Sequence, residues 1–134
     1  MQEPGAASTS GPEGAITLAS LVWLQHGPRG MFAGQDPGLL IARGGRISLV
    51  TLKEKVFEAE KHEIGVKWPW WEFGQGVHLK VAGKTYRFGW VPGSGTAASW
   101  GSREVERVVS TLAEREGFTG TLAKGKAWKS YLKT

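Results

Sequence analysis

From Val77 to Val91 (VHLKVAGKTYRFGWV) apolar and polar residues alternate with the two-residue period of a β-strand, on both sides of a Gly-Lys step. A two-residue loop at Gly83-Lys84, with Gly supplying the positive φ of a type II′ turn, makes this a hairpin. It pairs Val81 with Tyr86, Leu79 with Phe88 and Val77 with Trp90. The six apolar side chains then share one face, and His78, Lys80, Ala82, Thr85, Arg87 and Gly89 share the other. One face is expected to be core and the other a basic surface that also presents Lys84.

The same pattern predicts further short elements. Met1–Gly14 has no large apolar residue and is expected to be a disordered leader. Ala15–Leu24 suits a strand or a short helix, with a strand preferred. His26–Gly38 is punctuated by Gly and Pro as a loop. Leu39–Ala42 and Ile47–Leu52 flank Arg43-Gly44-Gly45-Arg46 as a second hairpin. A strict Gly-Gly loop would oppose two arginines, a longer one would not, and the sequence leaves that register open. Val56–Glu60 and Ile64–Trp68 are further strands, the latter stopped by Pro69. Residues 70–76 form an aromatic loop, and Pro92–Trp100 a linker.

Between Ser102 and Glu116 the period changes to that of a helix. Val105, Val108, Val109, Leu112 and Ala113 form one apolar stripe, with Ser102 as N-cap and Gly117 as stop. Ala127–Lys133 suits one more helical turn, with Trp128, Tyr131 and Leu132 on one side. The expected organisation is a tail (1–14), a domain (15–117) and a basic C-terminal extension (118–134).

Composition narrows the function classes. The 134 residues include no Cys, so no disulfide or cysteine-ligated metal site is expected. The net charge of +5 is uneven: −2 over residues 1–20, and +4 over residues 117–134, where four lysines meet no acid. A basic chain suits an anionic partner. No run approaches the ~20 apolar residues of a membrane span. An acidic rather than basic start argues against a secretory signal, so a cytoplasmic protein is expected.

Candidate chemistry is sparse. Gly83-Lys84-Thr85 ends like a phosphate-binding loop, but His78 stands where such a loop needs Gly, and the triplet lies within a hairpin. Gly93–Thr96 could form an anion nest, yet the helix begins well after it. His26, His62 and His78 lack metal-ligand spacing. Glu54, Glu58, Glu60 and Glu63 alternate with lysines as on a solvated strand face. No catalytic constellation, cofactor or metal is expected.

Two features remain as binding candidates. One is the basic set His78, Lys80, Lys84 and Arg87 on the central hairpin. The other is Trp68-Pro69-Trp70-Trp71-x-Phe73. Trp70 and Trp71 can stack on a base or lie in a membrane interface; alternatively, Trp68 and one of them plug the end of the barrel.

Gly38–Trp70 resembles the bacterial, largely actinobacterial, branch of pleckstrin-homology-like or GRAM-like domains. The resemblance rests on Arg46-Ile47, on Val56-Phe57-Glu58-Ala59, on Glu63-Ile64 and on Val66–Pro69. The Gly83-Lys84-x-Tyr86 turn and the closing helix add to it, so that it spans about residues 35–116. The Thr-x-x-Arg usual in the first hairpin is replaced by Ala42-Arg43-Gly44-Gly45-Arg46. The resemblance implies a mainly β fold: a small antiparallel barrel of six or seven strands capped by one C-terminal amphipathic helix. It also implies a non-enzymatic module that binds an anionic lipid surface or a protein partner. Basic and aromatic residues on one strand face keep nucleic acid as the alternative.

Overall fold

The computed structural model describes residues 16–25, 35–69, 76–91 and 100–133. The expected N-terminal tail, the linker at 92–99, most of the loop after His26 and the aromatic segment 70–75 lie outside them.

Seven antiparallel strands form one sheet in the order β4-β3-β2-β1-β7-β6-β5. They are β1 (Ile16–Gln25), β2 (Gln35–Arg43), β3 (Arg46–Thr51), β4 (Lys55–Glu60), β5 (Gly65–Lys67), β6 (Gly76–Val81) and β7 (Lys84–Gly89). Two helices follow, α1 (Ser102–Glu116) and α2 (Gly125–Lys133). This is the mainly β, antiparallel architecture with a C-terminal helix that the sequence implies.

The sheet curls so that distant strands share one interior. Val22, Leu40, Leu49, Phe57, Val77, Leu79 and Phe88, from every strand except β5, form a single buried cluster. The sheet's edges, β4 and β5, are joined by a 3-10 turn at Lys61–Glu63 rather than by pairing, so the barrel is partly open. The tilted rings of Phe57 and Tyr86, 4.9 Å apart, meet inside it.

A second cluster lies outside the barrel. Ala19, Leu39, Ile41 and Val50 point away from the interior and are covered by Val108 and Leu112 of α1. β2 is therefore buried on both faces, which explains its unbroken apolar run Leu39–Ala42. Burying an aliphatic side chain contributes about 1.5–3 kcal/mol, so a doubly covered strand is a strong anchor.

The two helices divide the work expected of one. α1 covers the outer face, while α2 sends Trp128, fully buried, into the barrel interior. Trp128 Nε1 donates to Ser20 Oγ at 2.8 Å, and that hydroxyl donates to the Ala123 carbonyl at 2.5 Å. The Ala123 N–H in turn donates to the Ala19 carbonyl at 2.7 Å. β7 pairs with β1 only at Trp23 and Leu24, so this segment occupies part of the edge that β7 leaves open.

Several local expectations change. Residues 35–38, read as loop, open β2; Pro37 is tolerated because β3 pairs only from Gly38 onward. Gly38 is needed there, since a Cβ would sit 2.6 Å from the Val50 carbonyl oxygen. The second hairpin does have the strict Gly44-Gly45 loop, and Arg43 faces Arg46. Acids relieve the repulsion: Glu116 at the end of α1 holds Arg43 at 3.0 Å, and Glu60 holds Arg46 at 3.1 Å. The N-cap of α1 is Gly101 rather than Ser102, and its N–H donates to the Glu104 carboxylate. Gly117 stops the helix as expected, at φ 75°, with Phe118 N–H reaching the Ala113 carbonyl.

Candidate functional site

The central hairpin forms, with a register two residues away from the expected one. Its turn is Ala82-Gly83, so Val81 faces Lys84, Leu79 faces Tyr86 and Val77 faces Phe88. Ala82 and Gly83 have φ of 51° and 84°, the type I′ pattern rather than II′. A slip of two leaves each strand residue outside the expected loop on its original face, so Val77, Leu79, Val81 and Phe88 are buried as the alternation requires.

The slip does relocate one site candidate. Lys84 falls in phase with Tyr86 and Phe88, on the inward side at the barrel rim. Its Nζ lies 5.2 Å from the centroid of the Tyr86 ring. It does not share the face of His78, Lys80 and Arg87, which the structure does bring together. His78 faces Arg87 directly, and Lys80 lies two residues along.

Pairing of β5 with β6 adds a residue that sequence reasoning missed. Lys67 stands opposite His78, so Lys67, His78 and Arg87 run in one row across β5, β6 and β7. Neighbouring strands are about 4.8 Å apart, which spreads the row over roughly 10 Å. Only the long-range β5–β6 pairing puts Lys67 there. Trp70 and Trp71 lie outside the described residues. Trp68, half-buried, packs against the barrel cluster.

α2 packs against β1 and the β2–β3 turn. Tyr131 donates its hydroxyl to the Gly44 carbonyl at 2.6 Å, and Lys61 Nζ donates to the Tyr131 carbonyl at 3.2 Å. Burial raises the Tyr131 phenol above its ordinary value, and the Glu60 charge acts in the same direction. Lys129 Nζ lies 5.6 Å from the Trp68 ring centroid, so α2 and the end of β5 meet at that tryptophan.

A shallow cleft of about 90 Å³ lies elsewhere, between α1 and the β2–β3 edge. Its exposed wall is mostly apolar, from Pro37, Leu52, Trp100 and Val108, with Asp36, Thr51 and Lys53 also lining it. Among the described residues no cluster of His, Asp or Glu could hold a metal ion, and no helix is long and apolar enough to cross a membrane.

No protein-family model and no curated protein sequence matches the chain. Among solved structures, the chain is similar to the solution structure of the PH domain of human oxysterol-binding protein-related protein 11. The TM-score is 0.41 at 9% identity, over 85% of this chain and 93% of that one.

Proposed function

We propose that this chain is a non-enzymatic binding module, pleckstrin-homology-like and GRAM-like in kind, that docks in the cytoplasm onto an anionic lipid surface. The observation that carries the reading is the row Lys67, His78 and Arg87, flanked by Lys80, on the three-stranded end of the sheet. Lys67, Lys80 and Arg87 are held in fixed register by the sheet, so they meet a flat anionic surface together without ordering a loop first. Each basic residue near such a surface adds about 1 kcal/mol, and salt screens the attraction. The mostly apolar wall of the described cleft favours binding at a surface over chemistry in a pocket.

The test is co-sedimentation with phosphatidylcholine vesicles, with and without phosphatidylserine, at low and moderate salt. Wild type is expected to bind only the anionic vesicles and to weaken as salt rises. Lys80→Glu/Arg87→Glu is expected to weaken binding by at least about tenfold. Failure of wild type to bind anionic vesicles would sink the reading. Capture of a protein partner would then take its place, or of a single-stranded oligonucleotide run in parallel.

A further inference from the structure

The charged residues on the outward side of α2 are all cations. Lys126, Lys129 and Lys133 stand at i, i+3 and i+7, all exposed, with Lys124 just before the helix. Residues 117–134 contain no Asp or Glu. The solvent side of α1 differs: Arg103, Arg107 and Arg115 are interleaved with Glu104, Glu106 and Glu114. Like charges three and four apart destabilise a helix, and a lysine in the first turn opposes its dipole. The crowding of Lys126, Lys129 and Lys133 thus works against the helix, which is held instead by its inward residues Trp128 and Tyr131.

The other side of α2 is fixed. Trp128 is fully buried, and Tyr131 is tied to Gly44 and Lys61. The helix cannot turn its apolar side to a partner without emptying the barrel, so it meets anything outside through its lysines. Over seven residues these span about 10 Å, a flat rather than a grooved surface.

We infer that this lysine face of α2 is the principal contact with an anionic membrane surface. The inference rests on the binding reading above and moves its centre from the hairpin to the last helix. Lys129 also touches Trp68, the residue that follows Lys67 of the sheet row. Two observations favour a membrane over nucleic acid. The face is all lysine, a flexible point charge suited to a diffuse anionic plane, and lacks the arginine fork that reads phosphates and bases. The half-buried Trp68 ring already packs on the core and against Lys129, which leaves less of it for base stacking.

The test uses the full chain and the same vesicles. Lys126→Gln/Lys129→Gln/Lys133→Gln removes three charges and keeps helix propensity. At about 1 kcal/mol per lysine, the affinity for phosphatidylserine vesicles should fall on the order of 100-fold. Thermal melting should be unchanged or slightly raised, because the three side chains are exposed and their mutual repulsion is removed. Wild-type affinity in this triple variant, with loss confined to Lys80→Glu/Arg87→Glu, overturns the inference and leaves the binding module standing. No binding of wild type to the vesicles overturns both. Equal loss of oligonucleotide and vesicle binding overturns the membrane assignment in favour of nucleic acid.

Discussion

Ala82 is the described non-glycine residue with positive φ, at 51°, and it sits in the turn that sets the register of the central hairpin. A Cβ in the left-handed region costs about 1–2 kcal/mol, which Asn offsets by bonding locally. Ala82→Asn would create the Asn-Gly pair that type I′ turns favour. It should stabilise the protein by roughly 1 kcal/mol and raise the melting temperature by a few degrees. An unchanged or lower melting temperature would contradict the turn assignment. The same residue shows what a sequence can and cannot convey. Alternation places Val77, Leu79, Val81 and Phe88 in the core under either register, because a slip of two conserves faces. It does not choose between Ala82-Gly83 and Gly83-Lys84 as the loop, so Lys84 is legible as a cation but not as the partner of the Tyr86 ring.

At the scale of elements, the strands and α1 are legible because each carries its own period, and the surfaces they share are not. β2 loses its alternation because both its faces are covered, and only the packing of α1 against Leu39 and Ile41 explains why. Lys67 joins His78 and Arg87 through pairing of β5 with β6, which no local pattern signals. α2 is held partly by Tyr131, which gives a test in pH. Its phenol keeps its proton more tightly in the folded chain, chiefly through burial and secondarily through Glu60. A pKa raised on folding contributes stability in full below the unfolded value of 10.0 and loses it as pH climbs through the folded value. The urea midpoint of wild type should therefore fall more steeply above about pH 10 than that of Tyr131→Phe. At neutral pH the variant should be about 1 kcal/mol less stable, for the lost bond to Gly44. Parallel alkaline profiles would mean that Tyr131 titrates alike in both states.

For the whole molecule, the deciding contact joins the two ends of the chain: Ser20 and Trp128, 108 positions apart. Read locally, residues 118–134 are a basic segment with one helical turn. In the fold, Trp128 fills the interior that β1 through β7 enclose. Removing a buried Trp side chain costs about 3–5 kcal/mol, against a total of about 5–15 for a typical domain. It also leaves the Ser20 hydroxyl without its donor in a dry site. Trp128→Ala should thus lower the unfolding free energy by at least about 3 kcal/mol. A chain ending at Gly117 loses Trp128, the bonds of Ala123 to β1 and the Tyr131 tie together, so it should melt without a cooperative transition and bind hydrophobic dye. The inner and outer sides of α2 then separate cleanly in experiment. Substitution of the outward lysines should leave the melt intact, whereas loss of Trp128 should collapse it. A truncated chain that melts cooperatively near the wild-type temperature would mean the barrel closes without α2. The helix would then be an appendage, and its tie to the sheet at Trp68 would have no structural purpose.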